Sequence, residues 1–103
     1  MQVQIIKIIR KDGILAVSPD QTEIRRGEEL QWAGENREME FFICFAGMSP
    51  FARRHYSNLH PASGPVLYGP RAGEFINGGE GTCYKYSVEV DGQVLDPGII
   101  VRP

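Results

Sequence analysis

Short runs of alternating hydrophobic and polar residues recur along most of the chain, separated by residues that favour turns. Alternation with a period of two is typical of half-buried β-strands, whereas no segment keeps the i, i+3, i+4, i+7 spacing of an amphipathic helix. Asp12-Gly13 and Asp91-Gly92 favour tight turns, because glycine tolerates a positive φ. The pattern predicts strands at 3–9, 14–17, 22–25, 28–32, 40–45, 84–90 and 99–101.

Three of these runs also predict which residues face a core. Within 28–32, Leu30 and Trp32 alternate with Glu29 and Gln31. Within 40–45 both faces are apolar, which predicts a central strand covered on both sides. Within 84–90, the predicted inward positions are Tyr84, Tyr86, Val88 and Val90.

The number and length of the predicted strands indicate the fold class. The chain has 103 residues, which is the size of one domain. Seven to eight short strands with turns every 8–12 residues are typical of a sandwich or a barrel. We therefore expect a single all-β domain over 1–103, interrupted by one long, variable loop at 47–81, where glycines and prolines replace the alternation.

Three stretches of the sequence resemble the cupredoxins, the plastocyanin-like copper proteins. SPDQTEIRRGEELQW (18–32) is similar to the family's P-x-x-x-x-V-x-x-G-x-x-V-x-W rhythm, GTCYKY (81–86) to its G-x-Y-x-Y strand, and 99–101 to its last strand. The resemblance leaves out the 47–80 region. It implies a Greek-key β-sandwich.

The copper ligands of the family do not carry over to this chain. Cupredoxin copper is held by two histidines, a cysteine and a weak axial methionine. Glu40 and Asp91 stand where the resemblance places the two histidines, and Val88 stands where it places the cysteine. We therefore expect no copper, no electron transfer and no other cofactor.

The 47–81 segment contains the residues most suited to binding. Arginine forks match carboxylates and phosphates, and imidazoles are common metal ligands. For the two histidines, Cys44, Met48 or Asp91 could supply a third ligand. A plain solvent-facing surface is the alternative for the histidines and arginines, and covering one end or edge of the sandwich is the alternative for the tyrosines. The candidate binding residues are Arg53, Arg54, His55, Tyr56, His60, Tyr68 and Arg71.

The same segment carries large apolar residues that need burial on the domain or on a partner. They are Met48, Phe51, Leu59, Val66, Leu67 and Tyr68. Aromatic residues, methionine and arginine together are enriched at protein–protein interfaces. The favoured function is a non-catalytic module that binds a protein partner or itself, and the alternative is a metal-binding protein that uses His55 and His60. No residue constellation predicts an enzyme.

Charge and hydropathy narrow the range of partners. The formal net charge is -2, which does not favour nucleic acid as a partner. No apolar run reaches the ~18 residues of a membrane helix, and the N-terminal residues read as a strand rather than a signal peptide. We therefore expect no membrane partner and a cytoplasmic protein. Cys44 is expected to face inward and Cys83 outward, so no disulfide is expected between them.

Overall fold

The strands of the domain follow one another closely along the chain. The computed structural model describes residues 3–103, so the first two residues of the predicted domain lie outside the described range. The described residues form no helix, and the all-β class is confirmed. The strands are β1 (Val3–Lys11), β2 (Ile14–Ser18), β3 (Gln21–Arg25), β4 (Glu29–Gly34), β5 (Phe42–Cys44), β6 (His55–Ser57), β7 (Ala62–Pro65), β8 (Phe75–Ile76), β9 (Gly79–Glu80), β10 (Thr82–Lys85), β11 (Ser87–Val90), β12 (Gln93–Leu95) and β13 (Gly98–Arg102).

All seven predicted strands are present, and the additional ones come from β12, from the division of one predicted run and from four short strands in the 47–81 segment. The run predicted at 84–90 is divided into β10 and β11 at Tyr86, whose N–H donates to the carbonyl of Pro97 (3.0 Å). Pro97 itself separates β12 from β13, since proline has no N–H for the ladder. The other additions, β6 to β9, lie within the 47–81 segment that was predicted as a loop.

One sheet has the strand order β2-β1-β4-β7. β1 pairs antiparallel with β2 through the Asp12-Gly13 turn and parallel with β4. The alternation along β1 turns Ile6 and Ile8 inward, where both are buried. β4 contributes Leu30 and Trp32 to the same interior, as predicted, and neither has any exposed surface.

The remaining long strands form sheets of order β10-β13-β3 and β12-β11-β5-β6. A single hairpin over 82–102 links them, because β10 pairs with β13 and β11 pairs with β12. The predicted inward residues of this hairpin are all buried. The sheets enclose one hydrophobic core, an arrangement consistent with a β-sandwich. β8 and β9 form a separate two-stranded hairpin.

The apolar run at 40–45 is not covered on both sides, contrary to the prediction. Phe41, Ile43 and Phe45 are buried, whereas Phe42 is 57% exposed. Cys44 therefore lies on the outward pleat with Phe42, not on the inward pleat. On this outer face of β5, Cys44 is half-buried. A run that is apolar at every position carries no period from which its inward face can be read.

Both cysteines are free. Cys44 lies opposite Ser87 in the β5–β11 ladder, and Cys83 precedes Ser87 by four residues on the same outward face. Four extended residues span about 13 Å, well beyond the ~7 Å Cα separation that a disulfide tolerates. Distance along a shared face therefore separates the two thiols, whereas the sequence indicated that they would lie on opposed faces.

Candidate functional site

The 47–81 segment is anchored to the core by three side chains. Phe51, Tyr56 and Val66 are at most 4% exposed. Tyr56 lies in β6, opposite Ile43 of β5, so pairing at the edge of the sheet directs its ring inward. Backbone bonds between Val66 and the Gly27–Glu28 turn hold the other end of the segment (both 2.9 Å). The anchors explain where part of the segment's apolar surface goes.

An aromatic cluster joins these anchors to the strands. Trp32 is its centre, with ring centroids 5.0 Å from Tyr56, 5.6 Å from Tyr86, 6.3 Å from Phe51 and 6.4 Å from Phe45. Most of the contacts are edge-to-face, the geometry that aromatic quadrupoles favour. Burial raises the pKa of Tyr86 to about 12.

Tyr56, a predicted binding residue, belongs to this cluster rather than to the surface. Its hydroxyl lies 3.1 Å from the carbonyl oxygens of both Arg53 and Ser63, so its single proton is satisfied inside the fold. Burial raises the pKa of the phenol. Tyr56 points inward because inward and outward positions alternate along β6. This strand has only three residues, so its alternation could not be recognised in the sequence.

The three residues that precede Tyr56 in the sequence are exposed. The Arg53 guanidinium lies 5.9 Å from the centroid of the Tyr56 ring, within cation–π range. The carbonyl of Arg53 accepts from Ser49 Oγ (2.8 Å), and the carbonyl of Arg54 accepts from Phe45 N–H (2.8 Å). These bonds hold the backbone and leave both guanidinium groups in solvent.

The two histidines are exposed and lie on different elements. His55 is in β6, opposite Cys44 of β5, whereas His60 closes the turn after β6 by donating its N–H to Ser57 (3.0 Å). Of the proposed third ligands, Met48 contacts Arg71 instead and Asp91 pairs with Arg10. Within residues 3–103, no group of three or more His, Cys, Asp or Glu side chains is placed to hold a metal ion.

Arg71 holds the far side of the segment against β10. Its N–H donates to the buried Thr82 Oγ1 (2.7 Å), and its guanidinium lies 5.6 Å from the Tyr84 ring centroid. The Nε atom donates to Glu74 Oε1 (2.8 Å), a bond that holds the pKa of Glu74 below its usual value. One Nη lies 3.8 Å from Met48 Sδ.

Two stretches of the segment lie side by side and form one surface. Leu67 N–H donates to the carbonyl of Pro50 (2.9 Å), and Met48 contacts Arg71, so 48–50 runs beside 67–71. Met48 is 61% exposed and Tyr68 is 54% exposed. A cleft of about 180 Å³ opens beside Met48 and Arg71 and is also lined by Cys83, Tyr84 and Lys85. The basic surface, as we call it, consists of Met48, Arg53, Arg54, Leu67, Tyr68 and Arg71.

A second cleft, of about 230 Å³, lies at the other end of the β10–β11 run. Glu40 and Asp91, the residues at the cupredoxin histidine positions, both line it. Arg10 Nη2 donates to Asp91 Oδ2 (2.9 Å), so a cation already occupies the carboxylate. The acidic cleft is lined by Arg10, Glu35, Asn36, Glu38, Met39, Glu40, Val90 and Asp91.

The sequence analysis did not identify Arg10, Glu35 or Glu38 as neighbours of Asp91. Arg10 and Asp91 are 81 positions apart, and they meet because β1 and β11 end at the same end of the domain. The only local signal is that both residues adjoin an Asp-Gly turn, which marks the end of a strand. The positions of these residues in the sequence give no indication that the two turns lie close together in the fold.

Comparison with protein-family models gave no match, and a search of curated proteins found no similar protein. No helix in the described residues is long and apolar enough to cross a membrane. The basic surface and the acidic cleft are therefore the features from which we infer a function.

Proposed function

We propose that this domain is a copper-free, cupredoxin-like, non-catalytic interaction module, and that its protein partner binds at the basic surface. The exposure of this surface is the observation that carries the proposal. Met48, Leu67 and Tyr68 are between 40% and 61% exposed, although the neighbouring Phe51 and Val66 are buried. Exposed methionine, tyrosine and arginine side chains together match the composition of protein interfaces.

The cupredoxin-like part of the proposal is supported by the path of the chain. β2 ends in one sheet and β3 begins in the other, so the chain crosses between sheets at the Ser18–Gln21 turn. Parallel pairs join β1 to β4 and β3 to β13, which requires connections longer than hairpins, as in Greek-key sandwiches. Glu40 and Asp91 also line the same cleft, as the two histidine positions of the resemblance would.

The non-catalytic part is supported by how the charged groups of the two clefts are used. Asp91 pairs with Arg10 (2.9 Å), and Arg71 pairs with Glu74 (2.8 Å). The guanidinium of Arg71 lowers the pKa of Glu74, which makes that carboxylate a poorer proton acceptor. Both of these ion pairs are used within the fold, and we assign the two clefts to binding.

A photo-crosslinking residue at position 68, expressed in the native host, tests the proposal. Tyr68 is a 54% exposed residue of the basic surface, whereas Ile5, also apolar and 45% exposed, lies on the outer face of β1 and serves as the matched control. We expect protein adducts from position 68 and few from position 5. Equal adducts from both positions, or none from position 68, would overturn the proposal.

A double variant separates a binding role from a structural one. Arg54→Glu with Tyr68→Ala changes two exposed side chains, so the melting temperature should hardly move while partner binding falls. A collapse of the melting temperature would show that the basic surface stabilises the domain instead.

A further inference from the structure

We infer that the occupant of the basic surface is the acidic cleft of a second copy of this chain, in a head-to-tail contact. The inference rests on the proposed function and specifies its partner. It starts from charges that each end of the domain leaves without an ionic partner, and from the apolar side chains beside them.

The basic end of the domain, as we call the end that carries the basic surface, has two cationic side chains without an ionic partner among the described residues. Arg53 and Arg54 are exposed, and neither forms an ion pair with any residue in 3–103. Arg71 and Lys85, by contrast, already pair with Glu74 and Asp96 on the same molecule. The unpaired arginines lie on the loop that also presents Met48, because Ser49 Oγ donates to the Arg53 carbonyl.

The acidic end has the complementary excess. Glu35, Glu38 and Glu40 are exposed and have no ionic partner among the described residues, while Arg10 is engaged by Asp91. Four carboxylates and one cation line the cleft. Arg37, on the same loop, opposes this excess but does not line the cleft.

An exposed apolar residue also lies at the acidic end. Asn58 N–H donates to the carbonyl of Phe41 (3.3 Å), which places the turn after β6 beside the residues that follow Glu40. Leu59, in that turn, is 78% exposed. Each end therefore combines unpaired charge with apolar surface, and the signs of the charges are opposite.

The geometry prevents one molecule from satisfying both ends itself. Cys83 to Lys85 line the cleft of the basic end, and Val90 and Asp91 line the acidic cleft. Six extended residues between Lys85 and Asp91 span about 20 Å. The domain is elongated, with extents of 40 × 24 × 24 Å. A contact between unlike ends of identical chains is heterologous, and it propagates into open chains unless the rotation closes a ring.

Charge complementarity favours a second copy over an unrelated acidic peptide. Every molecule that presents the cations also presents the carboxylates, at the same concentration. Exposed ion pairs contribute little individually and are screened by salt. The contact is therefore weak, dependent on concentration, and weaker at high ionic strength.

Charge reversal with complementation tests the inference by sedimentation velocity over a range of protein concentrations at low and high salt. One variant carries Arg53→Glu and Arg54→Glu, and the other carries Glu35→Lys and Glu38→Lys. Each should lower the self-association constant about tenfold or more, because attraction becomes repulsion. An equimolar mixture should restore association, since each variant supplies the end that the other has reversed.

Lys7→Glu is the matched control, because Lys7 is an exposed cation on β1 and belongs to neither end. It should leave self-association unchanged, and all variants should keep their melting temperatures. A wild-type chain that stays monomeric, an association that resists both reversals, or a mixture that fails to reassociate would each overturn the inference. Adducts from position 68 with a different protein and none with a second copy would also overturn it, while leaving the proposed function standing.

Discussion

The hairpin 82–102 and the segment 47–81 both contain several large apolar residues but distribute them differently. Along 84–90 of the hairpin, inward and outward positions alternate, so Tyr84, Tyr86, Val88 and Val90 are all buried. In the segment, Phe51, Tyr56 and Val66 are buried, whereas Leu59, Leu67, Tyr68 and Phe75 are exposed. The apolar character of a side chain predicts its burial only where pairing with a neighbouring strand also fixes the direction in which the side chain points.

The difference has a physical cause. The hairpin is paired along most of its length, with β5 and β3 on its outer sides, and continuous pairing imposes a period of two. The strands of the segment have two to four residues each, separated by turns. Each turn changes the direction of the chain. Whether a side chain is buried or exposed therefore depends on its own contacts with the rest of the fold.

The largest expected effect distinguishes the two kinds of residue within the segment. Phe51→Ala should lower the free energy of unfolding by about 3–5 kcal/mol, because it empties a buried site in contact with Trp32 and Phe45. Tyr68→Ala, at an exposed position, should change it by less than about 0.5 kcal/mol. Urea denaturation measures both. Similar losses for the two variants would contradict the division of the segment.

Alkaline pH should lower the free energy of unfolding of the domain, because Tyr86 of the hairpin is buried in the core. Burial raises the pKa of Tyr86 to about 12, whereas the unfolded chain ionises near its ordinary value of about 10. The unfolded state alone loses the proton in this window, so stability is fully present below pH ~10 and falls by about 1.4 kcal/mol per unit up to pH ~12.

The Tyr86→Phe variant tests this linkage. It removes the titrating group, so the decline in the urea midpoint over the alkaline window should become shallower. Tyr68→Phe, which removes an exposed phenol, is the control and should leave the decline unchanged. Identical pH profiles for wild type and Tyr86→Phe would show that the phenol is not protected.

A smaller effect is expected for a hydrogen bond that links two parts of the 47–81 segment. Tyr56→Phe keeps the ring against Trp32 but removes the hydroxyl that bonds to the carbonyls of Arg53 or Ser63. The loss should be about 0.5–1.5 kcal/mol, the usual net value of one hydrogen bond. Faster amide exchange confined to the loop around Arg53 would support a local role. A loss as large as that of Phe51→Ala would indicate that the hydroxyl orders the whole segment.

The smallest expected effect concerns copper at the end of the hairpin. Val88 is fully buried and has no thiolate, and Cys44 faces outward on β5. Adding Cu(II) to the purified protein should therefore produce no intense visible absorption. A strong band that disappears in Cys44→Ser, but persists in His55→Ala, would contradict the copper-free assignment.

Local residue patterns were sufficient to predict seven strand-forming runs, the all-β class and the inward faces of β4 and of 84–90. Alternation is a local property, and residues such as Leu30 and Val88 sit in runs with a clear period. The two Asp-Gly turns were equally readable, because their geometry depends on adjacent residues.

The outward position of Cys44, the burial of Tyr56 and the contact between Arg10 and Asp91 depend on how the strands are arranged in space. Cys44 lies in a run without a period, and Tyr56 lies in a strand too short to show one. Arg10 and Asp91 are brought together by two strands that end at the same place although 81 positions separate them. Such contacts depend on how whole strands are arranged in the sheets, which no local pattern of residues specifies.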